Sequence, residues 1–384
     1  MGDTMNLRST MSLTVATLLL SVVAMAQSTL PQALRLSGAF GGTHDPSIAF
    51  DHGTYYVFAT GAAYPARPEG TAPPSPDDAK APPPAPIGQF PIRCSKDLHH
   101  WTRCGAVFPA IPEWIQQASP KTRELWAPDI SYFDGLYHLY YAFSVFGKNT
   151  SGIALATNET LDPASSKYKW LDRGLVIRSY EKDDFNAIDP NLVLDAKGQA
   201  WLSLGSFWSG IKMIHLDRAT GLQSKTDMKI YSLASRHAPS VAVRNPDLPP
   251  DTEAIEAPFI FRHGGYYYLT VSWDLCCRGT KSTYRTMVGR SKDVTGPYVD
   301  RDGKSMLLDG GTPLLIANAT WRGPGGASVL RTPDGKPAED LLVFHAYSAK
   351  DGHPAMQIST IAWKDGWPQV ALEGDGSPLL EAGP

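Results

Sequence analysis

Past residue 26 the chain has no apolar run approaching the roughly 20 residues that a helix needs to cross a bilayer, which excludes a helical membrane span there. It has no surplus of basic charge either. Lys and Arg number 35 against 38 Asp and Glu, for a formal net charge of −3. A phosphate backbone would find no excess of cations to neutralise it, so nucleic acid is excluded as a partner. Cysteine is scarce, 4 residues in 384, and the residues fall as Cys94 with Cys104 and Cys276 with Cys277. Those spacings do not make a four-cysteine zinc site. No convincing amphipathic helical period occurs either, which points to β-structure throughout.

At the N-terminus, Met5-Asn6-Leu7-Arg8 gives a short basic start, Leu13 to Met25 an apolar run, and Ala24-Met25-Ala26 a small-residue cleavage signal. Residues 1–26 therefore read as a signal peptide; the alternative, a membrane anchor, would need a longer run. The mature chain, residues 27–384, reads as a single domain that is secreted or periplasmic and free of the membrane once the signal is cleaved. In such an oxidising compartment each cysteine pair is able to bridge, Cys94 to Cys104 across a turn and Cys276 to Cys277 as neighbours. Four buried thiols are the alternative.

Internal repetition organises the rest. His44-Asp45-Pro46-Ser47-Ile48, Trp126-Ala127-Pro128-Asp129-Ile130, Ile188-Asp189-Pro190-Asn191-Leu192 and Glu256-Ala257-Pro258-Phe259-Ile260 align. Each continues as a strand, meets a polar turn such as Asp51-His52-Gly53 or Asp134-Gly135, and resumes as an aromatic or β-branched strand. A weaker fifth unit starts at Gly325-Gly326-Ala327-Ser328. Second hairpins follow in several units, around Ser95–Leu98, Asp217–Gly221 and Ser291–Val294. Two hairpins per unit make a four-stranded blade, and five units make an all-β, five-bladed β-propeller, with the last strands near Ile358–Trp363 completing closure. A large β-sandwich is the alternative, but regular repetition argues against it. The Pro-rich stretch from Tyr64 to Pro91 interrupts the first unit and reads as a surface insert, placed here at the cleft border.

In a propeller the first strand of each blade lines the central channel, so residues at those strand starts meet at one mouth. Three of them are acids: Asp45 and Asp189 in the same slot, and Glu256 one position earlier with a longer side chain. An isolated Asp-Pro pair often does no more than start a strand or turn, but three acids in register concentrate carboxylates. Crowding pushes at least one pKa upward. Glycoside hydrolysis requires that divergence, with one carboxyl protonated to donate and another ionised to activate water.

The segments around these acids resemble glycoside hydrolase family 43, and within it most closely the endo-1,5-α-L-arabinanases. That branch is marked by Ser272-Trp273-Asp274-Leu275-Cys276-Cys277-Arg278-Gly279, Ser282-Thr283-Tyr284, Val288-Gly289-Arg290-Ser291 and Gly296-Pro297-Tyr298. The resemblance implies a five-bladed propeller that hydrolyses plant cell-wall arabinan, or a related arabinose or xylose polysaccharide, with inversion. It implies Asp45 as general base, Glu256 as general acid and Asp189 as the residue that positions Glu256 and keeps its pKa high. Trp126, Asn186, Ile188, Ser206 and His44 would line the substrate cleft.

The resemblance breaks at one point. Arabinanases of the family resemble one another in a Gly-Pro-Gly-His-Asn segment whose His holds a hydrated ion, usually calcium. Here the stretch reads Gly323-Pro324-Gly325-Gly326-Ala327-Ser328, and Gly326 offers no ligand. No metal ligand is assigned, and a channel calcium is not expected; His345 is the nearest remaining candidate. Two rivals stand beside the endo-acting hydrolase: an exo-acting α-L-arabinofuranosidase or β-xylosidase with the same acids, and a propeller that binds carbohydrate without cutting it.

Overall fold

The aligned Pro segments each become the start of an innermost strand, and a backbone turn sets each start apart. In the computed structural model, Asp45, Ala127, Asp189, Ala257 and Gly326 all have positive φ, between 47° and 59°. Four are not glycine, and each of those precedes a proline, a position normally held in extended conformation. In the second, fourth and fifth blades this point is also a β-bulge, at Trp126/Asp129, Glu256/Phe259 and Gly325/Ser328. Bulges re-aim the side chains beside them, and here they turn the residues at the strand starts toward one face of the ring.

The structure describes residues 1–2, 30–65, 85–236, 254–330, 340–377 and 379–380. Nearly all of the signal segment 1–26, and residues 66–84 of the Pro-rich insert, lie outside them. The chain forms a five-bladed β-propeller. The first blade runs Ser47–Asp51, Thr54–Phe58, Gly88–Ser95 and His100–Phe108 from axis to rim; a short helix, Glu113–Ala118, leads to the second. The second comprises Leu125–Phe133, Leu136–Phe143, Gly152–Asn158 and Leu171–Arg178, and the third Asn191–Leu194, Ala200–Leu204, Ile211–His215 and Ile230–Ala234. The fourth comprises Ile255–His263, Tyr266–Trp273, Arg285–Ser291 and Thr312–Leu315. Trp321–Leu330, Leu341–Ser348 and Pro354–Thr360 form the fifth.

Closure differs from the sequence expectation. The fourth strand of the fifth blade is Ala33–Leu34, with Ala33 opposite Ser359, and Leu379–Leu380 pairs parallel on its outer side. Ile358–Thr360 belongs to that blade's third strand, while Ala362–Lys364 pairs separately with Trp367–Gln369. A closing strand of two residues carries no alternation to read. The Pro-rich insert is also shorter than expected. Gly88–Pro91 opens the third strand of the first blade, with Phe90 fully buried and Gly88 and Gln89 paired to Ala63 and Ala62. The apolar Phe90 holds that end of the insert in the sheet.

The core lies between blades. Phe58, Phe90, Tyr141 and Phe143 pack between the first and second, all at most 1% exposed; each such side chain stabilises the fold by roughly 1.5–3 kcal/mol. Near the axis, polar side chains latch neighbouring blades. Ser47 Oγ accepts the Ile130 amide (3.0 Å), Asp129 Oδ2 the Leu192 amide (2.7 Å) and Asn191 Oδ1 the Ile260 amide (2.7 Å), while Ser328 Oγ donates to the Pro46 carbonyl (2.6 Å). These latches hold the strand starts in fixed register, and with them the acids. Both cysteine pairs are disulfide-bonded, Cys94 to Cys104 and Cys276 to Cys277.

Candidate active site

Asp45, Asp189 and Glu256 lie together on one cleft of about 860 Å³ at a mouth of the ring, within the size range of small-ligand sites. Trp126, Asn186, Ile188, Ser206 and His44 line the same cleft. All eight residues singled out from sequence are therefore brought to one place.

The three carboxyls have different surroundings. Asp45 keeps about a third of its side chain exposed to the cleft. Its Oδ2 accepts the Thr60 hydroxyl at 2.6 Å, and the same hydroxyl accepts the Ala127 amide at 2.7 Å, tying Asp45 to the second blade. Asp189 is half-buried, and its Oδ2 accepts the Ala257 amide at 3.0 Å. Burial, with Glu256 and Asp45 as like-charged neighbours, pushes its pKa well above the usual carboxylate range, against the smaller opposing effect of the Ala257 amide. Glu256 is buried, and its Oε2 accepts the Ser206 hydroxyl at 2.5 Å. Burial first, then the Asp45 charge, raises Glu256 to about 7, opposed by Ser206. The site thus sets a buried, proton-retaining carboxyl beside an acid that faces the cleft.

Several of the expected lining residues are fixed by partners of their own. Asn186 accepts the Ser151 hydroxyl at 2.7 Å, and the Ser206 hydroxyl is turned to Glu256. His44 contacts the Tyr347 hydroxyl through Nδ1 at 3.3 Å, and burial lowers its pKa despite Asp45 and Glu124. Sequence reasoning missed Thr60, Glu124, Phe146, Trp208, Tyr284 and Tyr347, all on the cleft. Phe146 is 69% exposed, and an aromatic residue in a polar loop was the signal available for it.

The calcium site that the resemblance suggests does not fit these residues. A Cβ at position 326 would stand 2.7 Å from Asp45 Oδ1 and 2.8 Å from His345 Nδ1, on a backbone with φ of +59°. His345 is buried, and its Nδ1 accepts the Asp45 amide at 3.2 Å while Nε2 lies 3.4 Å from the Tyr347 hydroxyl. Both ring nitrogens are engaged. Among the described residues no group of three or more His, Cys, Asp or Glu is placed to hold a metal ion.

A five-bladed propeller with carboxyls of divergent character on one cleft defines the class, a glycoside hydrolase. Residues 40–368 match the glycosyl hydrolases family 43 profile, and the chain belongs to that family. It is 40% identical over 331 residues to the extracellular exo-α-(1→5)-L-arabinofuranosidase of Cellvibrio japonicus, covering 85% of this chain and 86% of that protein. It is 43% identical over 276 residues to the extracellular endo-α-(1→5)-L-arabinanase 1 of Bacillus subtilis, covering 71% of this chain and 77% of that one. Among solved structures, the α-L-arabinanase of Cellvibrio cellulosa complexed with arabinohexaose superposes with a TM-score of 0.74 at 37% identity, over 89% of this chain and 99% of that one.

Proposed function

We propose that this enzyme is exported and hydrolyses (1→5)-α-arabinofuranosidic linkages inside arabinan, with inversion at the anomeric carbon. The observation that carries the mechanism is the contrast between Glu256, raised to about 7 in a buried setting, and Asp45, partly open to the cleft. Protonated Glu256 gives its proton to the departing glycosidic oxygen. Asp45 takes a proton from the water that attacks the anomeric carbon from the opposite side. Asp189 anchors the peptide next to Glu256, and the Ser206 hydroxyl orients its carboxyl. Trp126 offers a flat face to a pentose ring, while His44, Asn186 and Ile188 shape the neighbouring wall. Proteins similar to this chain are named extracellular and act on α-(1→5)-arabinofuranosyl linkages, which supports export and an arabinan substrate.

An exo-acting reading has support of its own, because the Cellvibrio japonicus relative, 40% identical, is named an exo-enzyme. Product analysis on linear arabinan separates the two. An internal cutter yields a mixed ladder with a rapid fall in viscosity, and an end-acting enzyme yields a single short product from the start. Replacement of Glu256 by Gln should lower kcat by about 10²–10⁴-fold, the usual contribution of a positioned acid, with the fold retained. Full activity in that variant would sink the mechanism. Proton NMR of the first-formed product tests inversion.

A further inference from the structure

The Cys276–Cys277 disulfide joins adjacent residues, so it closes almost no loop and gains little stability from restricting the unfolded chain. It sits on the loop between the second and third strands of the fourth blade and lines the cleft, with Cys277 exposed and Cys276 half-buried. The loop around it satisfies its own backbone. The Thr283 amide donates to the Leu275 carbonyl (2.8 Å), the Ser282 amide to the Gly279 carbonyl (3.0 Å), and the Arg278 amide to Ser282 Oγ (3.0 Å). The Cys277 amide is taken by the Tyr347 hydroxyl at 2.9 Å. Cys276 and Cys277 both line the cleft, and Cys277 Sγ lies 3.8 Å from the Tyr347 hydroxyl. Divalent sulfur is polarisable and weakly hydrated, so the disulfide adds an apolar plate to a wall that also carries Trp126, Phe146, Trp208 and Leu275.

The plate is also connected to the acids. Burial keeps His345 neutral, and its Nδ1 accepts the Asp45 amide, so its proton is on Nε2 and points to the Tyr347 hydroxyl 3.4 Å away. That hydroxyl, which also receives the Cys277 amide, lies 3.3 Å from His44 Nδ1. The disulfide loop, Tyr347, His44 and the Asp45 backbone therefore form one bonded unit. The ring order places Trp126 and Phe146 on the second blade and Trp208 on the third, with the disulfide on the fourth and Tyr347 on the fifth. Aromatic faces and disulfide border the cleft from different blades.

We propose that the Cys276–Cys277 disulfide is a substrate-binding surface of this cleft, packing against the C–H face of a furanose unit of the arabinan chain and thereby helping to set which chains are accepted. The proposal rests on the arabinan reading above. It is tested in the Glu256→Gln protein, which binds without turnover, by calorimetric titration with arabinotriose through arabinohexaose. Adding Cys276→Ser and Cys277→Ser should weaken binding of the oligomers long enough to reach the plate by about five- to tenfold, as expected for a lost apolar contact. Shorter oligomers should be less affected. A purely structural disulfide would lower Tm without dependence on oligomer length, and unchanged affinities would overturn the proposal.

If the double variant does not fold, the same titration is made on the Glu256→Gln protein before and after reduction with a phosphine. A Cys94→Ser, Cys104→Ser control isolates the vicinal pair. A loss reversed by reoxidation supports the plate, and identical affinities in both states refute it. Should the oxidised Glu256→Gln protein bind no arabino-oligosaccharide at all, the arabinan reading itself fails, and the proposal with it.

Discussion

Asp189 Oδ2 accepts the backbone amide of Ala257, the residue directly after Glu256, at 3.0 Å. A carboxyl on the third blade thereby holds the peptide that carries the acid of the fourth. Asp189→Ala removes this anchor and should lower kcat by about a hundredfold or more while changing KM little. Asp189→Asn keeps an acceptor oxygen and should be milder. Steady-state kinetics on linear arabinan would compare the two, and equal losses would show that the charge matters rather than the anchor.

Glu256 must be protonated to donate, so activity should fall as pH rises through about 7. The Ser206 hydroxyl favours the charged carboxylate, and removing it pushes the Glu256 pKa further up. Ser206→Ala should therefore move the alkaline limb of the kcat profile to higher pH. A limb that stayed in place, or moved down, would contradict the assignment of Glu256 as the acid.

At Gly326 a side chain meets Asp45 Oδ1 and the His345 ring. Gly326→His should reduce kcat by displacing Asp45, and lower stability by about 1–3 kcal/mol through left-handed strain. It should not create calcium dependence. The unaltered enzyme should keep its activity after dialysis against a chelator. Loss of activity restored by calcium would show that an ion is held by some other arrangement.

Asp129 joins the second and third blades by accepting the Asn191 side-chain amide at Oδ1 and the Leu192 backbone amide at Oδ2. In Asp129→Asn the new NH2 group faces a donor, at a cost of about 1–3 kcal/mol. The pH dependence has a definite sign. Burial raises Asp129 from 3.8 to about 6, so the folded state prefers the protonated form. The resulting stabilisation is present below pH 3.8 and is lost as pH rises through about 6. The stability gap between native and variant should therefore narrow over that window, as read by denaturant melts at several pH values.

The innermost strands and the acids were legible because each blade repeats the same local problem. A turn before Pro46, Pro128, Pro190 and Pro258 leaves a sequence mark, and Asp45, Asp189 and Glu256 stand beside that mark. Thr60, Trp208 and Tyr347 leave none, because they come from the ends of second strands or the loops after them and reach the cleft only through the ring. Ser206 was placed on the cleft by resemblance, but its bond to Glu256 depends on the juxtaposition of two blades. Ala33–Leu34 could not be read as a closing strand, since its partner lies more than 300 residues away and its pattern is two residues long.

That closing strand has a mechanical meaning. The ring is fastened by a seam in which Ala33 is flanked by Ser359 on one side and Leu379 on the other, so segments more than 300 residues apart in sequence are neighbours in space. Joining these regions by a short linker and cutting the chain in a rim loop should give a permuted enzyme with the same cleft, because the acids are held by inner strands that the seam does not touch.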